Sequence, residues 1–328
     1  MFIKSYEALR NHIYSNRTIE TLIQFEYSAF EEATVPICTF ALKNSKQEKK
    51  GCYLRLTDFR GGMEVQRQKT LEAISNHDCG FYFEASQDNF SKIPGSPVAY
   101  WVGEAFVRDF IVGDRLCKVC ETKKGLATSD NNRFLKLWFE VCLDSIGFNV
   151  KSNSETVNNG YKWYPHHKGG EYRRWYGNQE YVINWKSDGY EIKNYRDASE
   201  KLLSRPQNTQ YNFSKALTWS KITSSIFSAR FSENGFLFDD AATICYHKNE
   251  DELLWTLGFL NSKCCQNILN VLNPTINIQI GDIGNLPILH DETRKDIVTN
   301  IVEENIALSK TDWDSFETSW DFKGCPLI

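Results

Sequence analysis

Between Tyr161 and Asn178 the chain reads YKWYPHHKGGEYRRWYGN, with four Lys/Arg and six aromatic rings set around a Gly-Gly pair. Lys168, Arg173 and Arg174 would each lose hydration on burial that only a carboxylate or a phosphate replaces. Any fold this chain adopts is therefore expected to hold the segment at a surface made for contact. Gly169 and Gly170 lack a Cβ, so the backbone there is free to take positive φ and to approach a bulky partner closely. Arg and Lys match phosphates and the guanine edge, while Trp163, Tyr164, Trp175 and Tyr176 offer stacking faces. Nucleic acid is the first partner this chemistry suggests.

Such a partner has to be met locally, because the whole chain of 328 residues carries a net charge of only −4 and no global field draws it to DNA. The charge is nevertheless segregated. Residues 115–136 hold six Lys/Arg against two Asp/Glu, whereas residues 287–328 hold four against nine, a basic middle and an acidic tail. The length suggests about two domains, and 41% apolar with 24% charged residues is ordinary for a globular chain with a sizeable core. The opening MFIKSYEALRNHIYSN lacks the apolar stretch of a secretory signal, and no apolar run approaches the roughly 18 residues of a membrane span, so a cytoplasmic location without membrane contact is expected. Ten cysteines without regular spacing then read as reduced thiols. Cys117 and Cys120 have metal-ligand spacing, but no second pair accompanies them, and a zinc site is disfavoured. Cys264 and Cys265 lie in an apolar helix-like run and are expected in the core.

Along the chain, Ser5 to Tyr14 reads as a helix, and Ile19–Glu26, Val35–Leu42 and Gly51–Asp58 as strands. They look like the end of an α/β domain whose apolar faces need further neighbours. A polar helix over Glu64–Ile74 follows, then FYFEA, the loop Pro94–Pro97 and a helically spaced run with Trp101, Ala105 and Phe106. The Gly- and Asn-rich turn KKGLATSDNNRF carries Lys123, Lys124 and Arg133. YVINW, ALTWSKI, SSIFSARF, GFLF and ATICY are short strand candidates, which makes the middle mostly β. After Asp251 comes an apolar helix pair broken near Asn261 and Ser262, then NPTINIQIGDIGNLPI, which alternates as a strand ending on Pro287, and a helix over Asp291–Lys310.

LGFLNSK (Leu257–Lys263), LNPTINIQIGDIGNLPI (Leu272–Ile288) and DWDSFETSWDF (Asp312–Phe322) resemble the C-terminal half of the adenine-specific DNA methyltransferases of BREX phage-defence systems, the PglX family. KGGEYRRWYGN and KGLATSDNNRF look like that family's target recognition region. A weaker likeness extends to type IIG restriction-modification enzymes and to type I specificity subunits. The resemblance implies sequence-specific recognition of double-stranded DNA for N6-adenine methylation, in a cytoplasmic defence or restriction-modification system, with S-adenosylmethionine as cofactor of the full-length family. It also implies an α+β chain: the end of a methyltransferase sheet over residues 1–75, a mixed, β-rich target recognition domain over 76–290, and a C-terminal helix with an aromatic, acidic tail over 291–328.

The departures from that pattern matter. The family's Gly-rich cofactor loop and its Asn-Pro-Pro-Tyr motif, which holds the flipped adenine, have no counterpart here. Asn273-Pro274 is followed by Thr275, and no Gly-x-Gly follows a strand. The chain alone is thus expected to bind no cofactor, to carry no catalytic residue and no metal, and not to methylate. Its partners would be duplex DNA and, beyond it, a separate catalytic portion or other defence proteins.

The expected DNA-contacting residues are Lys168, Gly169, Gly170, Arg173, Arg174, Trp175, Tyr176 and Asn178 in the first segment and Lys123, Lys124, Asn131, Asn132 and Arg133 in the second. Asn and Gln read adenine and Arg reads guanine, which brings Gln179 in beside Asn178. The plainer alternative for the cations is a solvated loop with ion pairs to Glu171 and Glu180, and for Trp163, Trp175 and Tyr176 it is packing of the loop onto its domain. His166 and His167 are expected as surface imidazoles. Trp313, Phe316, Trp320 and Phe322 favour packing against a body, since four aromatics would otherwise lie exposed. A protein-interaction or regulatory subunit that does not touch DNA is the alternative function. A working enzyme with an unrecognised cofactor loop, or an aromatic carbohydrate binder, ranks below it.

Overall fold

The structure, a computed structural model, describes all residues except 28, 30–34, 36, 224–225, 274 and 326–328. Parts of the strands expected at 35–42 and 224–231, and the proline of Asn273-Pro274, thus lie outside the described residues. The chain divides into two compact units, Met1–Gly113 and Asp114–Ile328. It is α+β, as expected.

In the first unit, α1 (Glu7–Asn16) leads into β1 (Thr18–Gln24), β2 (Cys38–Lys43) and β3 (Lys50–Arg55), then α2 (Gly62–Ser75), β4 (Tyr82–Ser86), α3 (Gln87–Phe90) and α4 (Glu104–Val112). The sheet order is β2-β1-β3-β4, with β1 and β3 parallel and the other neighbours antiparallel. A register shift between Ile19 and Thr21 of β1 lets both Ile19 and Leu22 join Tyr53 in a cluster with Ile13, Tyr14, Phe90 and Tyr100, where Tyr53 and Tyr100 stack at 4.8 Å. Leu54, Leu56, Ala73 and Phe81 form a second apolar cluster.

The second unit begins with β5 (Asp114–Arg115), α5 (Leu116–Val119), β6 (Glu121–Lys123), α6 (Asn131–Phe134) and β7 (Leu135–Leu137). It continues with β8 (Trp163–His167), β9 (Tyr181–Asn184), α7 (Lys186–Lys193), β10 (Ala216–Ser220), β11 (Ala229–Ser232), β12 (Leu237–Phe238) and β13 (Ala242–Tyr246). The C-terminal part is α8 (Glu250–Leu260), α9 (Lys263–Leu272), α10 (Ile280–Gly284), β14 (Pro287–Ile288) and α11 (Lys295–Asp314). Two four-stranded sheets, β11-β10-β13-β6 and β12-β8-β9-β7, dominate it, with a small β14-β5 pair beside them. Trp185, Phe134, Tyr164, Ile183, Phe213 and Leu237 belong to one buried apolar cluster.

Local signals explain the helix pair. Asn249 caps α8 by accepting from Asp251 N–H at 2.9 Å, three acids occupy its first turn, and Ser262 caps α9 through Cys265 N–H at 3.1 Å; both devices favour helix starts. Gly258 leaves room for α11, since a Cβ there would meet Val302 Cγ2 at 3.0 Å. Three expectations need correction. Among the described residues of 273–288 only the last two, β14, are strand: Asn273 Nδ2 donates to Asn277 O at 2.8 Å and Gln279 N–H to Asp282 Oδ2 at 2.9 Å, and these local bonds lead into α10. Cys264 is exposed while Cys265 is buried. In the tail, Trp313 is buried and Trp320 packs on Phe148 and Phe236, but Phe316 is 53% exposed.

Candidate nucleic-acid interface

The first half of the basic, aromatic segment is interior. β8 lies between β9 and β12, and all five of its residues are buried. Pro165 is tolerated because β12 pairs only with His166 and His167, so no ladder bond is lost on that side. His166 and His167 are therefore not surface imidazoles. His167 Nε2 lies 2.7 Å from Ser232 Oγ and its ring stacks on Phe236 at 4.4 Å. His166 Nε2 lies 3.5 Å from Asp239 Oδ2. Burial holds both imidazoles below their ordinary range. Trp163 is likewise buried, against Ile146 and Val182.

The second half is a loop with unusual backbone. Gly169, Gly170, Trp175, Gly177 and Asn178 all have positive φ, a strained state for Trp and Asn. The glycines approach the chain's own groups: a Cβ on Gly169 would lie 3.1 Å from Ala241 O and one on Gly170 2.8 Å from Asn178 Nδ2. Asn178 Nδ2 also donates to Glu171 O at 2.8 Å, and Trp175 is tied to β11 through Ala229 O and Phe231 N–H. Tyr176 is 2% exposed and its hydroxyl accepts from Lys310 Nζ at 2.8 Å, so its ring offers no stacking face. Gln179 is buried as well.

Two of the three cations of this loop are paired, though not with Glu171 or Glu180. Lys168 Nζ meets Asp239 Oδ2 at 2.7 Å. Arg173 Nη1 meets Asp312 Oδ2 at 2.8 Å, and its guanidinium lies 4.9 Å over the Trp313 ring. Arg174 sits over Tyr172 at 5.7 Å; its Nε finds no acceptor, and no carboxylate among the described residues pairs with it.

In the second predicted segment, Lys123 pairs with Glu121 at 2.9 Å, and Arg133 binds Glu191 through Nε and Nη2 at 2.8 and 2.7 Å. Asn131 and Asn132 are exposed, and Asn131 Oδ1 accepts from Thr128 Oγ1 at 2.5 Å. Lys124 has no carboxylate partner among the described residues, and its carbonyl accepts from Asn208 Nδ2 at 2.8 Å. The turn is seated by Gly125, whose Cβ position would lie 2.0 Å from Phe238 O. The two segments converge: Thr128, Asn131, Lys168, Asp239 and Asp240 line one open cleft of about 310 Å³. Lys123 and Arg133 do not line it.

Sequence reasoning missed three residues of this region: Asp239, Asp312 and Arg230. Arg230 on β11 is 2% exposed, and among the described residues its guanidinium donates to Arg173 O at 3.4 Å and to Ser220 Oγ at 3.3 Å. Burial, and then the charge of Arg173, push its pKa down to about 10. A lone Arg in the apolar stretch IFSARF was the available signal.

At the paired glycines before α2, Glu26 Oε1 accepts from the N–H groups of Gly61 and Gly62 at 3.2 and 3.0 Å, so these amides are already taken. No metal-binding group of three or more His, Cys, Asp or Glu occurs among the described residues. No helix among them is long and apolar enough to cross a membrane.

No family profile matches the chain. The adenine-specific methyltransferase PglX of Lacticaseibacillus casei (strain Zhang) is 35% identical over 328 residues, covering 98% of this chain and 27% of the relative. The adenine-specific methyltransferase BrxX of Escherichia coli O9:H4 (strain HS) is 32% identical over 338 residues, covering the whole chain and 26% of the relative. Among solved structures, the type IIL restriction-modification enzyme MmeI in complex with DNA superposes with a TM-score of 0.50 at 10% identity, over 97% of this chain and 42% of that one. Along essentially its full length the chain is thus a homologue of the adenine-specific methyltransferases PglX and BrxX, spanning about a quarter of their length.

Proposed function

We propose that the unit Asp114–Ile328 recognises duplex DNA on behalf of an adenine N6-methylation activity in a phage-defence or restriction-modification system. The observation that carries this reading is the cleft in which Asn131 of the basic turn meets Lys168 of the Gly-Gly loop. Two segments of suitable chemistry, 37 residues apart in sequence, share one open wall. Lys124 and Arg174, which do not line the cleft and have no carboxylate partner among the described residues, supply phosphate contacts from the same two segments, and Asn131 and Asn132 offer amides to base edges. Tyr176 drops out of the contact set. Flipping and methylation of adenine belong to the complete enzyme with S-adenosylmethionine, and no residue of this chain is given a part in that chemistry.

Fluorescence anisotropy of a labelled duplex tests the reading. Affinity should fall between about 50 mM and about 200 mM salt, with a log–log slope of about −0.9 for each phosphate neutralised. Lys124→Glu and Arg174→Glu should each weaken binding and flatten the slope. Absence of binding at low salt, or insensitivity to both reversals, would refute it. A protein-interaction role is the second reading, favoured by Ile297, Ile301 and Leu308, which leave α11 with 62%, 52% and 70% exposed apolar side chains. Under that reading the same reversals leave partner capture intact.

A further inference from the structure

Arg230 Nη1 reaches Arg173 O at 3.4 Å, Arg174 follows Arg173 in the chain, and among the described residues a single carboxylate pairs with any of the three. Arg230 is fully buried with no carboxylate partner among the described residues, its Nε without an acceptor. Buried guanidinium groups are ordinarily paired, because leaving one unpaired costs several kcal/mol on the order-of-magnitude scale of ion desolvation. Arg174 Nε is likewise buried and unsatisfied. The carboxylate that serves the group, Asp312, binds Arg173 through one nitrogen only, at 2.8 Å, with its side chain 60% exposed. An ion pair at such an exposed rim is weak and exchangeable.

Arg173 does not depend on Asp312 for its position. Its stem runs between loop backbone and indole: a Cβ on Gly177 would lie 2.4 Å from Arg173 Cδ and 3.1 Å from Trp313 Cε3. The guanidinium also rests over the Trp313 ring. Releasing the carboxylate would leave the fork in place with free donors, above a buried positive charge that has no counter-ion. That is the arrangement a phosphodiester oxygen fits, since Arg binds phosphate with two parallel donors where the geometry allows.

We propose that Asp312 stands in for a phosphate on Arg173, and that duplex DNA enters this site by displacing it, with Arg174 and the buried Arg230 adding to the field that holds the phosphate. The site rests on the DNA-binding reading above and adds to it a resident competitor carried by α11.

The test is a double-mutant cycle on the full chain, read by anisotropy of a labelled mixed-sequence duplex. Asp312→Asn should tighten binding by about two- to fivefold, the worth of an exposed ion pair. The gain should vanish when Arg173→Gln is also present. Glu317→Gln removes the same charge from an exposed tail residue that pairs with no cation among the described residues, and it should give a clearly smaller gain. Equal gains from Asp312→Asn and Glu317→Gln, a gain that survives Arg173→Gln, or no gain at all would overturn the proposal. Should thermal unfolding show that Asp312→Asn is misfolded, Asp312→Ser takes its place under the same criteria. If the wild-type chain binds DNA and the cycle shows no coupling, only the stand-in is wrong; if neither protein binds, the DNA reading falls and this site falls with it.

Discussion

Asn261 holds Ala229 by both of its peptide groups: Oδ1 accepts from Ala229 N–H at 2.9 Å and Nδ2 donates to Ala229 O at 3.0 Å. β11 is the edge of its sheet, so the amide stands where the peptide of a further strand would otherwise pair. Asn261 is 5% exposed and occupies the corner between α8 and α9. One side chain thus docks the helix pair onto the sheet, next to the Trp175 N–H that shares Ala229 O.

Replacing Asn261 therefore costs more than one hydrogen bond. Asn261→Ala strands a buried N–H, whereas Asn261→Asp keeps an acceptor for it but sets its second carboxylate oxygen against Ala229 O. Both should destabilise the second unit by about 2–4 kcal/mol, the first from two lost bonds and the unsatisfied donor, the second from one lost bond and a buried charge facing a carbonyl. Urea unfolding reads this directly; a change under about 1 kcal/mol would mean that water replaces the amide without penalty.

Gly125→Ala is expected to displace the turn that carries Lys124 and Asn131. A Cβ would sit 2.0 Å from Phe238 O and 2.7 Å from Asp239 N, against backbone that is also held by Leu126 N–H to Phe238 O at 3.0 Å. Backbone cannot rotate aside as a side chain does, so overpacking of at least about 1–3 kcal/mol follows. The thermal midpoint should drop, and DNA affinity should drop further than under a comparably destabilising change remote from the cleft.

Short-range physics was legible. β-Branched and apolar content located β1 and β3, apolar spacing with the break at Asn261-Ser262 located α8 and α9, and the basic middle drew attention to Lys124, Asn131 and Lys168. Long-range pairing was not. Asp239 lies 71 residues from Lys168 and Asp312 lies 139 residues from Arg173, and nothing local in either segment announces its partner. His166 and His167 read as loop because β12, which covers them, is only two residues long. The stretch 273–288 misled for a different reason: Ile276, Ile278 and Ile280 alternate like a strand, but Asn273, Gln279 and Asp282 hydrogen-bond locally and compete with a ladder.

Arg10 is expected to be the least replaceable charged residue of the first unit. It is 3% exposed and donates to four backbone carbonyls, those of Met1, Ile3, Gly95 and Ser96, at 2.7–2.9 Å. Burial lowers its pKa, yet a guanidinium stays charged at neutral pH. Arg10→Met keeps the stem and strands the carbonyls, for a loss of about 2–4 kcal/mol. Arg10→Lys has three donors for four acceptors and should recover only part of it. Hydrogen exchange should quicken around residues 1–10 and 93–97; unchanged protection there would contradict the assignment.

The stability of the second unit should fall as the medium is acidified below the ordinary histidine range. Burial is the first cause that holds His167 well below its usual 6.5, and the charge of Arg230 and then His166 add to it. For His166 burial also comes first, and the opposing pull of Asp239 does not cancel it. Both rings stay neutral in the folded chain while the unfolded chain takes up protons below about pH 6.5. The unfolded state then binds more protons, so the stabilisation is complete above that pH and is lost as pH falls toward the lowered folded values. Each ring contributes up to about 1.4 kcal/mol per pH unit across that window. His167→Gln, which keeps a polar group near Ser232 but does not titrate, should lower stability at neutral pH and roughly halve the slope. Urea midpoints at about pH 7.5, 6 and 5 measure both effects. A wild-type slope near zero over that range would mean that the rings take up protons in the folded state, and that β8 is less closed than its packing against Phe236 and Ser232 indicates.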